Sequence, residues 1–263
     1  MNMKALSNFK NSSIRVVLTD IDGTLTDHGR LPEGSYSSLW KIFEAGLKVI
    51  PVTGRPAGWC ELIARLWPVH GVIGENGAFY FIHDGKIMQR HFARDRAQRL
   101  QDRLKLKVIR QEVLQEVPGA GIASDQFSRL FDLAIDFSED VTPLEKSARD
   151  KIVAIFEKHG AQAKVSNIHV NGWYGEHDKV STCKKYLQKE FGMSELEMKK
   201  HCIFVGDSPN DEPMFEFFPE SFAVANIKEF LPRLKHKPGY LTDLPEAQGF
   251  TQVADRLLAL NSR

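Results

Sequence analysis

Short apolar runs alternate with amphipathic stretches along most of the chain. Ile14–Leu18 reads Ile-Arg-Val-Val-Leu and leads into acidic residues. A run this short and this apolar predicts a buried strand of a parallel sheet. A helix is predicted from Pro32 to Ala45, since proline is tolerated in a first turn and Gly46 stands at the far end. Leu47–Val52 predicts a second strand, Pro56–Trp67 a helix and Gly71–Ile73 a third strand. That order implies a parallel sheet with right-handed crossovers. The alternation returns late in the chain. There the pattern predicts helix Val180–Phe191, strand His201–Val205, short helix Pro213–Phe218, strand Ser221–Ala225 and a closing helix Ala247–Leu260.

The middle of the chain has another rhythm. Arg94–Val117 is helix-like and Gly119-Ala120-Gly121 breaks it. Ile122–Arg129 and Leu130–Phe137 predict paired strands, because Phe131, Leu133, Ile135 and Phe137 alternate with polar or small residues. Pro143–His159 predicts a helix, and Ala161–Ser166 and Ile168–Tyr174 predict two more strands joined near Asn167. The fold class expected is therefore α/β. Residues 1–84 and 173–263 form a Rossmann-like parallel-sheet core, and residues 85–172 form an inserted α+β unit.

Composition narrows the function class. Of 263 residues, 42% are hydrophobic and 26% charged, which suits a soluble globular protein with a sizeable core. No run approaches the roughly 18 apolar residues of a membrane helix, and no signal peptide is evident. Cys60, Cys183 and Cys202 make an odd count without a CxxC pair. That favours a reducing compartment over a disulfide frame, and a cytoplasmic location is expected. Lys and Arg number 35 against 34 Asp and Glu, a net charge of +1, so no nucleic-acid partner is expected. The basic stretch from Arg90 to Arg110 reads as the solvated side of a helix. No membrane partner is expected, and the oligomeric state is open.

Candidate chemistry lies where the predicted strands end. Asp20-Ile21-Asp22-Gly23-Thr24 follows the first strand. Side chains two apart on an extended segment share a face, and open parallel sheets bind ligands beyond their carboxyl ends. Two carboxylates there can divide nucleophile and acid–base roles, or hold a metal; an ordinary acidic turn is the competing reading. A calcium loop of the EF-hand type fails, because Gly23 falls at position 4 rather than 6 and Leu31 stands at position 12. Val52-Thr53-Gly54-Arg55-Pro56 follows the second strand and opens a helix, which suits an anion or, more simply, an N-cap at Thr53. Lys179 opens the helix after the insert, where a solvated lysine is the plain alternative. Gly206-Asp207-Ser208-Pro209-Asn210-Asp211 ends a late strand with the hard oxygen donors that magnesium prefers, or with a Pro-Asn-Asp turn. No P-loop, GxGxxG, HExxH or GxSxG occurs.

The ordered set DIDGTL, VTGR, Lys179 and GDSPND resembles the haloacid dehalogenase superfamily of phosphatases. An insert between the Thr and Lys motifs is similar to the type 2 cap, in its compact IIB form. That form occurs in Cof-type, sucrose-phosphate and mannosyl-3-phosphoglycerate phosphatases and in eukaryotic phosphomannomutases. GENGAF, Gly74 to Phe79, is also similar to that subgroup. Val180 after the lysine, where many relatives carry glycine, and Val224-Ala225-Asn226-Ile227 depart from the usual pattern.

The resemblance implies a magnesium-dependent phosphatase acting on a small phosphorylated metabolite, a sugar phosphate. A phosphomutase or a non-catalytic binding module are the alternatives. It implies that Asp20 attacks phosphorus and that Asp22 protonates the leaving oxygen, which needs surroundings favouring the protonated acid. Thr53, Gly54 and Arg55 would hold phosphoryl oxygens, and Lys179 would neutralise crowded charge. Magnesium would sit on Asp20, the backbone carbonyl of Asp22 and Asp207, with Asn210 and Asp211 completing or orienting the shell. Asn76 would face the lid. On the insert, Arg129, His169, Asn171 and Trp173 are expected to meet the leaving group, since polar groups beside an aromatic suit a sugar. Ordinary sheet-surface residues are the competing reading.

Overall fold

The computed structural model describes residues 3–166 and 168–261. The chain opens with β1 (Lys4–Ala5), β2 (Val16–Thr19), α1 (Glu33–Glu44), β3 (Lys48–Pro51) and α2 (Ala57–Leu66). It continues with β4 (Val72–Gly74), β5 (Phe79–His83), β6 (Met88–Phe92) and α3 (Arg96–Glu116). Then follow β7 (Gly121–Ile122), β8 (Leu133–Asp136), α4 (Lys146–Lys158), β9 (Gln162–Val165) and β10 (His169–Trp173). The last part holds α5 (Lys179–Phe191), α6 (Glu195–His201), β11 (Cys202–Gly206), α7 (Glu212–Phe217), β12 (Ser221–Ala223), β13 (Tyr240–Leu241) and α8 (Glu246–Asn261).

Six strands form a parallel sheet in the order β1-β13-β12-β11-β2-β3. Side chains alternate across it, as the strand period requires. Val17, Val49 and Ile203 enter a core with Leu39 and Ile42 of α1 and Phe250, Val253 and Leu257 of α8. Val16, Leu18, Ile50 and Phe204 enter a second core with Cys183, Tyr186 and Leu187 of α5 and Met214 of α7. Both faces are covered, which is why these strands read as apolar runs.

A four-stranded antiparallel sheet, β7-β8-β10-β9, is built from the inserted segment. Leu106, Ile109 and Val113 of α3 and Ile152, Ile155 and Phe156 of α4 pack with Leu133, Ile135 and Val170 of its strands. The expected join at Asn167 lies outside the described residues. The expected boundary at 84/85 falls in the turn between β5 and β6, and that at 172/173 falls within β10.

Two expectations need correction. Gly71–Ile73 is not a third strand of the parallel sheet. β4 pairs antiparallel with β5 in a three-stranded sheet β4-β5-β6, and an isolated parallel bridge, Val52 to Ile73, ties it to the main sheet. Glu75, Asn76 and Gly77 all have positive φ and fold the chain back, so Phe79–His83 takes the edge of β4. Ile122–Arg129 and Leu130–Phe137 are not a long hairpin either. β7 has two residues, and a short 3₁₀ turn occupies Gln126–Ser128. The ladder is diverted because Glu75 takes the N–H groups of Leu130, Phe131 and Asp132.

Candidate active site

Three neighbouring strands deliver the site. Asp20 follows β2 directly, Thr53 lies two residues beyond β3, and Asp207 follows β11 directly. The Asp20 N–H donates to the carbonyl of Val205 at 2.9 Å, which locks the end of β2 against β11. The chain then turns at Gly23, with φ of +74°; a Cβ there would stand 2.5 Å from Asp207 Oδ2. Glycine is thus required both for the backbone angle and for the approach of the two loops.

Lys179, the first residue of α5, reaches the same point. Its Nζ donates to Asp20 Oδ1 at 3.2 Å and to Asp211 Oδ1 at 2.8 Å. Its position is set by Asp178, which caps α5 by accepting the Ser181 N–H at 2.7 Å. Asp211 Oδ2 accepts the Asp207 N–H at 3.1 Å. Asn226, from the segment that departs from the usual family pattern, donates to Asp207 Oδ2 at 3.0 Å and to the Gly23 carbonyl at 3.2 Å.

Asp22 points elsewhere. Arg55 grips its carboxylate in a bidentate pair, Nε to Oδ2 at 2.9 Å and Nη2 to Oδ1 at 2.7 Å. The neighbour expected for an acid was an environment favouring its protonated form; the structure places a guanidinium there instead. Arg55 Nη1 also lies 3.7 Å from Glu139 and 3.9 Å from Asp125, both on the insert, and the guanidinium stacks over Trp59. Thr53 Oγ1 accepts the Arg55 N–H at 3.0 Å, so its own hydrogen stays available to donate.

A cavity of about 440 Å³ lies between the strand ends and the inserted sheet. Asp20, Asp22, Gly54, Arg55, Asn76 and Asn210 line its core side. Thr53, Lys179, Asp207 and Asp211 are buried beneath this lining rather than on it. Asn210 Oδ1 accepts from Ser208 Oγ at 3.0 Å. Asn76, held at a φ of 55°, packs beside Gly54, where a Cβ would sit 3.3 Å from Asn76 Oδ1.

The insert contributes differently from what its sequence suggests. Arg129 lines the cavity, but each of its three nitrogens is already engaged by protein. It bonds both oxygens of Asp125 at 2.9 and 3.1 Å, both oxygens of Asp132 at 3.2 and 3.1 Å, and the Gly54 carbonyl at 3.2 Å. It is an anchor between insert and core. Asn171 lines the cavity and donates to Asp132 Oδ2 at 2.8 Å. His169 also lines it; its Nε2 lies 2.9 Å from Glu139 Oε2 but is not aligned to hydrogen-bond. Burial first, then Arg129, pushes the His169 imidazole down to about 4, so it is neutral there. Trp173 does not line the cavity. It is buried and stacks on His177, 5.7 Å between ring centroids.

Glu75, Glu139 and Lys164 were not picked out from the sequence. Glu75 takes four backbone N–H groups, from Ala57 on the core and from Leu130, Phe131 and Asp132 on the insert. It sits inside GENGAF, the string that marked the subgroup, so a signal was present. Lys164 and Glu139 lie on polar stretches with no distinguishing spacing.

Comparison with known proteins agrees with this geometry. The family model for haloacid dehalogenase-like hydrolases matches residues 17–119, which include the Asp20, Thr53 and Glu75 segments. Over that span the chain is similar to the haloacid dehalogenase-like hydrolases. A phosphoglycolate phosphatase of Methanospirillum hungatei is 27% identical over 246 residues, 91% of this chain and 95% of that protein. One from Thermoplasma acidophilum is 27% identical over 242 residues, 91% of this chain and 96% of that protein. A crystal structure of a Thermoplasma acidophilum protein covers 94% of this chain and 99% of its own at a TM-score of 0.72 and 19% identity. The sucrose-phosphatase of Synechocystis, in complex with sucrose and phosphate, covers 93% of this chain and 98% of its own at a TM-score of 0.64 and 12% identity. These likenesses show a shared fold.

Within this hydrolase the core carboxylates fit a divalent cation. One oxygen each of Asp20, Asp207 and Asp211 lie within 4.8 Å of one another. Asp207 Oδ1 is buried and has no hydrogen-bond partner. A buried carboxylate oxygen left unmet beside two further carboxylates is costly unless a cation joins it. All the donors are hard oxygens, the chemistry of magnesium. Electrostatics point the same way. Burial, then Asp211 and Asp20, raise the Asp207 carboxyl well above its ordinary range. Burial also pushes Asp20 up to about 7, against the opposing pull of Lys179. Burial works against the Lys179 ammonium, but Asp20 and Asp211 outweigh it and raise its pKa. The Asp22 carboxylate, expected among the ligands, is not part of this cluster, because it is committed to Arg55.

Proposed function

We propose that this phosphatase uses magnesium to hydrolyse the phosphomonoester of a small metabolite through an aspartyl-phosphate on Asp20. The observation that carries the reading is the buried cluster of Asp20, Asp207, Asp211 and Lys179, whose member Asp20 lines a cavity roofed by the insert. A carboxylate nucleophile held beside an ammonium suits attack on an anionic phosphoryl group.

An Asp20 carboxylate oxygen attacks phosphorus, and the bond from phosphorus to the leaving oxygen breaks. Asp22 gives its proton to that oxygen and later takes one from the water that attacks the aspartyl-phosphate. Inorganic phosphate leaves and the Asp20 carboxylate is restored. Thr53 Oγ–H and the Gly54 N–H donate to phosphoryl oxygens, and Lys179 offsets the charge gathered there. Asp20, Asp207 and Asp211 would hold a divalent cation, which would supply charge neutralisation and favour the ionised, nucleophilic form of Asp20. Arg55 holds Asp22 in place. To let Asp22 carry a proton, Arg55 must release at least one of its two bonds to it, and Glu139, 3.7 Å from Arg55 Nη1, stands ready to receive the freed guanidinium. The insert keeps bulk water from the phosphoryl site.

The substrate expected from the sequence is a sugar phosphate, while the curated relatives act on phosphoglycolate; the cavity is large enough for either. Phosphate release from a panel holding sugar phosphates, phosphoglycolate and p-nitrophenyl phosphate tests the reading. Release with magnesium, none with EDTA and none from Asp20→Asn is expected. Release that persists in Asp20→Asn overturns the mechanism. An isomeric sugar phosphate in place of inorganic phosphate makes the enzyme a phosphomutase.

A further inference from the structure

We infer that Lys164 is the specificity-determining residue of this site and that it selects a carboxylate on the leaving group. The inference rests on the phosphatase reading above and deepens it.

Lys164 sits on β9 and pairs in register with Asn171 of β10, so the two side chains share a face. Both line the cavity. The cavity's other cations are committed. Arg55 is paired with Asp22, Arg129 with Asp125 and Asp132, and Lys179, beneath it, with Asp20 and Asp211. Among the described residues Lys164 has no carboxylate within ion-pair distance and no hydrogen-bond partner for its ammonium. It is nonetheless half-buried, and burial together with the Lys179 ammonium lowers its pKa against the smaller opposing pull of Asp178 and Asp211. A cation drawn from water toward another cation is costly. An anion in the cavity removes that cost.

The placement says which anion. Thr53, Gly54 and Lys179 belong to the core and take the phosphoryl group under the reading above. Lys164 comes from the opposite wall, the insert, which meets the leaving group. A second phosphate is dianionic and would call for more than one free cation. A single ammonium matches a single carboxylate. On that wall Asn171 already donates to Asp132, and Arg129 is engaged by Asp125, Asp132 and the Gly54 carbonyl. The ligand class is therefore a short phosphorylated hydroxy acid, with phosphate and carboxylate a few atoms apart.

The test compares phosphoglycolate with glycerol 3-phosphate, whose leaving group is small and uncharged, in wild type, Lys164→Met and Lys164→Arg. The readout is the ratio of kcat/KM for the two substrates. The expected result is a ratio favouring phosphoglycolate that falls at least tenfold in Lys164→Met, mainly through KM, and less than threefold in Lys164→Arg. An unchanged ratio in Lys164→Met overturns the inference whatever the absolute rates. Calorimetric binding of phosphoglycolate and of inorganic phosphate to Asp20→Asn, with and without Lys164→Met, gives a readout that needs no turnover. Selective weakening of phosphoglycolate supports the role, and equal weakening of both ligands overturns it. Wild-type enzyme that releases no phosphate from any substrate defeats the phosphatase reading separately, because the binding comparison still reports on Lys164.

Discussion

Arg55 and Asp22 are the residues whose pairing most constrains the chemistry. A bidentate fork fixes a carboxylate in one orientation, and a lysine cannot reproduce that geometry. Arg55→Met is expected to lower kcat by about a hundredfold through misplacement of Asp22. Arg55→Lys should recover only part of that loss. Steady-state kinetics on p-nitrophenyl phosphate checks both, and wild-type kcat in Arg55→Met would remove Arg55 from the account. The pairing also shows what the sequence can and cannot disclose. Asp20, Thr53, Lys179 and Asp207 stand at strand or helix ends, so local pattern located them. The Arg55–Asp22 pair joins residues 33 positions apart through space, and no spacing rule announces it. Arg129 looked like a substrate ligand because an arginine beside a predicted strand is indistinguishable from a free one until its partners are seen.

At the scale of elements, the join between insert and core is a polar latch. One buried carboxylate, Glu75, accepts N–H groups from both units, with Phe131 N at 2.6 Å. Burial, and then Asp132, push this carboxyl up to about 8, yet the convergent N–H donors offset part of that penalty. Glu75→Gln leaves one acceptor oxygen where there were two and adds donors among donors. A loss of roughly 1–3 kcal/mol is expected on that ground, read by urea denaturation. Faster amide exchange at Leu130, Phe131 and Asp132 should accompany it; unchanged exchange there would remove the latch. The same latch explains the shortened β7–β8 hairpin. Alternating apolar residues promise a ladder, but N–H groups claimed by a distant carboxylate cannot also pair with a strand. α6 was overlooked for another reason. Ser194 and Glu197 form a capping box, a readable start signal, but a helix of only seven residues is too short for an apolar stripe to repeat.

For the whole molecule, the parallel core was legible because strands buried on both faces leave apolar runs. The placement of β4 was not, since a strand after a helix looks the same whether it joins the sheet or starts a hairpin. Two global predictions follow from charge. Magnesium should raise the thermal midpoint, EDTA should reverse the rise, and Asp207→Ala should abolish it; differential scanning fluorimetry reads all three. His177 bears on acid stability. Burial, then Arg94, pushes its pKa from the usual 6.5 to about 4, and neither ring nitrogen has a partner. Between pH 6.5 and 4 the unfolded chain therefore binds a proton that the native protein refuses, so stability falls as pH falls through that window. Relative to His177→Gln, the wild type should lose stability more steeply on acidification, by up to about one proton's worth of slope. Parallel profiles from urea denaturation at several pH values would contradict this.

The proposed mechanism requires that Asp20 become phosphorylated during turnover. Enzyme mixed with excess substrate and magnesium, quenched in acid within the first turnovers and mapped by mass spectrometry, tests it directly. A phosphoryl group is expected on the fragment containing Asp20, absent in Asp20→Asn and absent with EDTA. Full phosphate release with no label on that fragment, or with the label elsewhere, would contradict it.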